Sequence, residues 1–379
     1  MKFPYNLQDV YDNEKQEKFT VISTFAGGGG SSTGYRLAGG KILAINEFVE
    51  EARNTYSANY PSTPILPDDI KKLTGQDFLD LVGLKKGELD LLDGSPPCSA
   101  FSVAGSMCRS EGATHSDGWG KTKIYSDGKS VENIEDLFFE FIRVAKDIMP
   151  KVIVAENVKG LTIGEAKSYY HRITNELEAI GYYVSSKVMN ASYHGVGQNR
   201  QRVIFICVRE DIAEQAGLTF LNIHSIFPEE SSKQTTFGDV IDDVVNNEEE
   251  VKYIEHEWYR CKLYKEVAIK MPDNPEKILS GMDYHPKGHA FNMKRASMFK
   301  PCPTLTALGC ANIPFGGVIH PLVNRKLTLP ELIRIQSLPD DFKLTGEWKQ
   351  KAERIGRMVP PLMMMQIAES INKHIFSKL

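Results

Sequence analysis

The cysteines of this chain lack the spacing of a zinc site or of a disulfide framework. None of them forms a CxxC pair, and they are Cys98, Cys108, Cys207, Cys261, Cys302 and Cys310. Scattered reduced thiols are usual in a cytoplasm, whereas metal sites and disulfide-rich domains need regular spacing. We therefore expect a cytoplasmic protein without a bound metal.

Long apolar runs and a strong excess of one charge are also missing. No apolar run approaches the ~20 residues of a membrane-spanning helix, and residues 1–5 do not lead into the apolar core of a signal peptide. These absences argue against a membrane partner. The net charge is −4, so a nucleic-acid-binding surface would have to be a local basic patch. The length of 379 residues indicates roughly two domains.

A glycine-rich turn follows the first strand that we predict. The strand covers residues 19–25, the turn residues 26–34, and a short helix residues 35–38. Glycines between a strand and a helix allow backbone N–H groups to approach a ligand closely. Taken alone, this turn is weak evidence for a cofactor site.

An acidic residue strengthens the cofactor prediction. A second predicted strand, residues 41–46, leads into Glu47, about 20 residues beyond the glycines. This is the position at which a carboxylate usually holds an adenosine ribose. Asp69, which follows a third short apolar segment, could accept a hydrogen bond from an adenine amino group.

Cys98 stands at the end of a stiff turn. The apolar segment 89–93 predicts a buried strand, and the sequence Gly-Ser-Pro-Pro at 94–97 ends it. Two prolines fix the backbone in front of the thiol, at the carboxyl end of a strand where open α/β sheets place their chemistry. A buried structural cysteine beside a proline turn is the alternative.

The segments that follow alternate between helix and strand, which is typical of a doubly wound sheet. We predict helices at 134–149 and 165–180 and strands at 152–155, 182–190 and 203–208. The first of these strands runs into Glu156. Residues 99–133 lack periodicity, and a stretch of this length is usually a lid or binding loop.

Two basic features point to a polar or anionic partner. Arg200 and Arg202 would lie on the same side of an extended segment, where their guanidinium groups suit a carbonyl or phosphate. Residues 213–300 predict a second, irregular domain, whose basic portion at 284–300 could contact phosphates. Solvated surface side chains are the alternative in both cases.

Taken in order, a set of segments resembles the motifs of the DNA (cytosine-5) methyltransferase family. They are residues 25–30, 47, 69–70, 94–98, 156–158, 198–202, 303–306, 325–340 and 356–361. Each match is modest alone, and the ordered set is specific. The resemblance implies a class I S-adenosylmethionine-dependent methyltransferase: an α/β, mostly parallel sheet with a smaller inserted target-recognition domain. The implied divisions are 1–212 (catalytic), 213–325 (target recognition) and 326–379 (hinge and returning helix).

The resemblance also implies the roles of individual residues. Cys98 would add to C6 of a flipped cytosine, Glu156 would contact N3, Arg202 would hold O2, and Arg200 would stabilise the nucleophilic loop or a phosphate. The implied cofactor is S-adenosyl-L-methionine and the implied partner is double-stranded DNA, with a companion restriction endonuclease. The implied cofactor-binding residues are Phe25, Gly27, Gly29, Gly30, Glu47, Phe48, Asp69, Ile70, Pro97, Leu137, Arg357 and Val359.

One residue departs from the family pattern. Arg357 occupies the position where the family normally has asparagine, near the methionine end of the cofactor. A cation is unfavourable beside a sulfonium, so Arg357 either points away or pairs with a carboxylate. The alternative is a cofactor with an extra anion, carboxy-S-adenosyl-L-methionine, and transfer of a carboxymethyl group. A tRNA cytosine-5 methyltransferase and a catalytically inactive DNA-binding regulator are further alternatives.

Overall fold

The computed structural model describes residues 3–97, 123–124, 130–131, 136–164, 166–290, 292–313 and 316–379. Cys98 and most of the predicted lid lie outside the described residues. The strands, in chain order, are β1 (Phe19–Thr24), β2 (Gly40–Asn46), β3 (Ile65–Leu66), β4 (Leu91–Gly94), β5 (Lys123–Ile124), β6 (Ser130–Val131), β7 (Val152–Val158), β8 (Tyr182–Asn190), β9 (Gln198–Asn199), β10 (Gln201–Arg209), β11 (Leu279–Ser280), β12 (Met293–Arg295), β13 (Cys302–Pro303) and β14 (Gly317–Ile319).

Seven strands form the central sheet, in the order β3-β2-β1-β4-β7-β10-β8. The pairs from β3 to β7 are parallel. β10 runs antiparallel to β7 and β8. The prediction of a doubly wound, mostly parallel α/β sheet is confirmed.

The helices flank this sheet or belong to the segments that follow it. In chain order they are α1 (Leu7–Glu14), α2 (Gly30–Leu37), α3 (Glu50–Asn59), α4 (Gly75–Val82), α5 (Leu137–Ile148), α6 (Ala166–Ala179), α7 (Glu210–Gln215), α8 (Gly238–Ile241), α9 (Glu248–Tyr259), α10 (Lys262–Lys270), α11 (Ala307–Ala311), α12 (Leu329–Ile335), α13 (Trp348–Arg357) and α14 (Pro361–His374). None of the helices in the described part of the chain is long and apolar enough to span a membrane.

Both faces of the central strands are covered, which explains why their sequences are apolar without alternation. Leu91 of β4 belongs to the core under α2 and α14, and the next residue, Leu92, belongs to the core under α4, α5 and α6. Successive side chains of a strand point to opposite faces, so neighbouring residues along the strand pack into different cores. The carboxyl ends of these strands are left free for a site.

The region after the sheet is more regular than predicted. We expected an irregular segment at 213–300, and it contains α9 and α10. A separate small core forms around Trp258 and Ile319. The acidic residues at 248–250 form the first turn of α9, where three glutamates follow the N-cap Asn247 and complement the helix dipole. The division at 213 and 325 stays a prediction.

Candidate active site

A cavity of about 370 Å³ opens at the carboxyl ends of β1, β2, β4 and β7. This volume falls within the range of small-molecule sites. The cavity brings together most of the residues that the sequence singled out: Phe25, Gly27, Glu47, Phe48, Asp69, Ile70, Pro97, Leu137, Glu156, Arg200, Arg202, Arg357 and Val359.

The turn after β1 has the backbone of a ligand-binding loop. Phe25, Gly27 and Gly29 have positive φ values of 52°, 57° and 101°. A Cβ at Gly27 would meet nothing within 4 Å, so glycine is needed there for its conformation. The N–H of Gly27 donates to Oε2 of Glu47 at 2.7 Å, which fixes the carboxylate against the loop.

Gly29 and Gly30 do not line this cavity and have packing roles in the described part of the chain. A Cβ on Gly30 would lie 2.3 Å from the carbonyl oxygen of Val359, and one on Gly29 would lie 3.1 Å from the ring of Tyr56. Glycine therefore lets the start of α2 approach the segment that leads into α14. Their role in cofactor binding stays a prediction.

One part of the cavity fits an adenosine group. Both oxygens of Glu47 accept backbone N–H groups, Oε1 from Val49 at 2.7 Å, and a carboxylate oxygen has a further lone pair for a ribose hydroxyl. Asp69 supplies a second carboxylate. Apolar walls complete this part of the cavity; they are formed by Phe48, Ile70 and Leu137.

Glu156 and Arg202 are diagonal neighbours on the antiparallel pair β7–β10, where Arg202 pairs with Val158 and Glu156 with Ile204. Nε of Arg202 lies 2.8 Å from Oε1 of Glu156. Apart from this ion pair, Glu156 Oε1 is buried and has no hydrogen-bond partner among the described residues. A ligand donor can therefore supply the hydrogen bond that this oxygen lacks.

Arg200 lies between β9 and β10, lines the same cavity and is only 3% exposed. Its Nη1 donates to the carbonyl of Leu305 at 3.0 Å and to that of Gly356 at 3.3 Å. Burial, together with the charge of Arg202, lowers the pKa of Arg200 to about 9, so the side chain remains cationic at neutral pH. Arg200 thus ties the segment between β9 and β10 to two distant parts of the chain.

Neighbouring residues of the sheet and of α5 fix the turn that leads to Cys98. Asn157 Nδ2 donates to the carbonyl of Pro96 at 3.2 Å, and a Cβ on Gly94 would meet the ring of Phe141 at 2.5 Å. Ser95 Oγ is buried without a hydrogen-bond partner in the described part. The backbone is therefore fixed up to Pro97, and Cys98 itself lies outside the described residues.

Asp93, four residues before Pro97, is a buried acid of this turn. It accepts hydrogen bonds from Ser23 Oγ at 2.6 Å and Tyr35 Oη at 2.9 Å. Burial outweighs these bonds and raises the pKa of Asp93 from 3.8 to about 7, with a further contribution from Glu156. The folded protein therefore holds a proton on Asp93 that the unfolded chain releases.

Because of this proton, the stability of the folded protein is expected to fall as pH rises. Between about pH 4 and pH 7 the unfolded state binds fewer protons, so the contribution of Asp93 to stability falls as pH rises. Asp93→Asn removes that contribution. We expect urea unfolding to show the variant gaining stability relative to the parent protein across this window. A difference that does not change with pH would contradict the assignment.

Two charged residues of the cavity were missed by the sequence reasoning. Glu353 and Arg354 line it together with Arg357. Arg357 donates to Oε1 of Glu353 from Nε at 2.9 Å and from Nη2 at 2.6 Å. The spacing of three and four residues before Arg357 places both on its side of a helix, and this signal could have found them.

The fold and the geometry of the cavity can be compared with known proteins. The model of the family described as C-5 cytosine-specific DNA methylase matches residues 19–373. The chain belongs to this family. The predicted enzyme class, an S-adenosylmethionine-dependent DNA cytosine-5 methyltransferase, is confirmed by this membership.

Relatives and solved structures agree with the family. The chain is 31% identical to the type II methyltransferase M1.HphI of Haemophilus parahaemolyticus, over 93% of this chain and 87% of the relative. It is 29% identical to M.Eco47II of Escherichia coli, over 95% and 80%. A prophage-encoded DNA modification methyltransferase structure from E. coli has a TM-score of 0.67, with 18% identity over 94% of this chain and 99% of that one. Spodoptera frugiperda DNMT2 has a TM-score of 0.60, with 15% identity over 93% and 99%. These structures bear on the fold alone.

Proposed function

We propose that this protein modifies duplex DNA as a type II methyltransferase, flipping one target cytosine out of the helix and methylating its C5. The observation that carries the proposal is the Glu156–Arg202 pair, which faces the cavity beside the turn that leads to Cys98. A base in a duplex cannot reach such a cavity while it is stacked, so it must be extruded.

The residue types match what cytosine chemistry requires. C5 is a poor nucleophile until a thiolate adds to C6, which is the role proposed for Cys98. Electron density then builds on N3 and O2. Glu156 supports N3 by donating a proton or hydrogen bond, and the guanidinium of Arg202 stabilises O2. C5 would then bond to the methyl carbon, and S-adenosylhomocysteine would leave. Loss of the C5 proton to a base and cleavage of the Sγ–C6 bond would restore the aromatic ring and release the thiolate.

The adenosine-type part of the cavity supports the cofactor assignment. S-adenosylmethionine supplies the methyl group as an electrophilic carbon on a sulfonium. Glu47 would hold the ribose, Asp69 the adenine amino group, and Phe48 the ring. Arg200, through its bonds to Leu305 and Gly356, positions the segment that carries Arg202.

The ion pair at Arg357 supports methyl rather than carboxymethyl transfer. Its guanidinium is neutralised by Glu353 through two bonds to one carboxylate oxygen, so no extra anion is needed to balance it beside a sulfonium. Mass spectrometry of DNA from cells that contain carboxy-S-adenosylmethionine is expected to find 5-methylcytosine alone. Detection of 5-carboxymethylcytosine would favour the alternative.

One experiment tests the proposed function. Purified protein is incubated with S-adenosyl[methyl-³H]methionine and either plasmid DNA or tRNA, and methylated plasmid is then mapped at base resolution. We expect tritium in DNA at cytosine C5 within one short sequence, and none with Cys98→Ala. Label in tRNA would favour the RNA alternative, and no transfer to either, with cofactor bound, would favour the inactive regulator.

The same proposal assigns roles to the two later segments of the chain and includes a partner enzyme. Residues 213–325 would contact the DNA groove and select the target, while residues 326–379 return to the cofactor cavity. A companion restriction endonuclease is proposed from the type II relatives. Transformation of cells with the endonuclease gene in the absence of this methyltransferase would be lethal if that pairing holds.

A further inference from the structure

The cofactor cavity contains a buried cation without a partner. Arg354 is only 7% exposed and lines the cavity. No hydrogen bond or ion pair of its guanidinium exists among the described residues. Burying an unpaired charge costs several kcal/mol, so proteins rarely keep one without a ligand or a shifted pKa.

No acid near Arg354 forms an ion pair with it in the described part of the chain. Burial lowers the pKa of Arg354. Glu47 opposes this effect most strongly, Arg357 lowers the pKa further, and Glu353 and Glu51 raise it. Glu47 accepts the N–H groups of Gly27 and Val49, and Glu353 is engaged with Arg357, so the guanidinium of Arg354 remains available to an anionic ligand.

We propose that Arg354 binds the α-carboxylate of the amino-acid end of the cofactor. This inference rests on the proposed function, because it takes the cavity to hold S-adenosylmethionine. The α-carboxylate is the only anion that this molecule carries. A guanidinium and a carboxylate form short, charge-assisted hydrogen bonds that are stronger than neutral ones.

The charges of the cavity agree with one orientation of the cofactor. The acids Glu47 and Asp69 suit the hydroxyl and amino donors of adenosine, and they would repel a carboxylate. Arg354 lies near the glycine turn, since a Cβ on Gly28 would meet its Cγ at 3.0 Å. The amino-acid end therefore lies between the glycine turn and the last turn of α13.

A purely structural role for Arg354 is the competing explanation. A cation in the last turn of a helix interacts favourably with the helix dipole, and Arg354 lies in the last turn of α13. That role would stabilise the protein whatever ligand is bound. It would not distinguish ligands that carry a carboxylate from ligands that lack one.

The test compares two ligands that differ by the amino-acid group. Isothermal titration calorimetry measures binding of S-adenosylhomocysteine and of 5′-methylthioadenosine to the full chain. Arg354→Gln is expected to lower the affinity for S-adenosylhomocysteine roughly 10- to 100-fold. Its affinity for 5′-methylthioadenosine should fall less than about 3-fold. Arg354→Lys, which keeps the charge, should recover part of the loss. Lys349→Gln removes an exposed charge from the same helix and serves as the matched control.

Each outcome bears on a different claim. If Arg354→Gln weakens both ligands equally, or neither, Arg354 does not recognise the carboxylate and the inference is wrong. If the parent protein binds neither ligand, the proposed function fails instead. If circular dichroism shows that Arg354→Gln does not fold, Arg354→Lys is used instead. The quantity compared is then the ratio of its affinity for S-adenosylhomocysteine to its affinity for 5′-methylthioadenosine. A ratio equal to that of the parent protein would contradict the inference.

Discussion

Replacing Glu156 with glutamine is expected to lower kcat for DNA methylation by roughly 10²- to 10⁴-fold, the usual contribution of a general acid–base group. Glutamine keeps the size of the side chain and can still contact N3 of the cytosine. It cannot supply a proton, and it leaves Arg202 without its carboxylate at 2.8 Å. The loss should fall on kcat because negative charge builds on the ring only as the reaction proceeds.

Single-turnover tritium transfer to a duplex that carries the mapped target measures this effect. Glu369→Gln removes the same charge from an exposed position on α14 and controls for net charge. Because the variant leaves Arg202 unpaired, some loss of stability is expected, so activity is measured at a temperature at which circular dichroism shows the variant to be folded. A variant that is fully active, or one that fails only through unfolding, would remove Glu156 from the proposed mechanism.

The second large effect is expected on the free energy of unfolding when the buried ion pair between Arg325 and Glu331 is broken. Glu331 is 2% exposed and accepts from Arg325 Nη1 at 2.9 Å and Nη2 at 2.6 Å. It also accepts from the N–H of Thr328 at 3.0 Å and from Asn246 Nδ2 at 2.9 Å. Although burial acts to raise the pKa of Glu331, Arg325 holds it below its ordinary value.

Glu331→Gln should therefore lower the free energy of unfolding by roughly 3–5 kcal/mol, because it leaves the buried guanidinium of Arg325 unpaired. Chemical denaturation measures the change. The double variant with Arg325→Met removes both charges and should recover part of the loss. A loss that is the same in the single and double variants would show that the pair itself contributes nothing beyond the hydrogen bonds to Thr328 and Asn246.

The sheet and much of the cavity could be predicted from the sequence because local patterns determine them. Strands buried on both faces are short apolar runs, and a glycine turn with Glu47 at the correct distance marks a nucleotide-type site. Glu156 and Arg202 lie close together because β7 and β10 are adjacent and antiparallel, with Arg202 paired to Val158 and Glu156 to Ile204. This register is a tertiary property that no single segment contains.

Other features depend on contacts that no local pattern contains. The helices α9 and α10 are rich in charged residues and bury few side chains, so their apolar periodicity is weak. The close approach of Gly30 to the carbonyl of Val359 is such a contact, since a glycine run by itself indicates only a turn. Helix spacing can place Arg354 on the same side as Arg357, but its burial depends on tertiary packing, such as the approach of Gly28 to its Cγ.

The close approach of Gly30 to Val359 has a consequence for biosynthesis. The glycine turn on one wall of the cofactor cavity is synthesised long before the opposite wall, residues 353–359. A nascent chain can complete its first strands and still have no closed cavity. Cofactor binding is therefore expected only after residues 353–359 have been added to the chain.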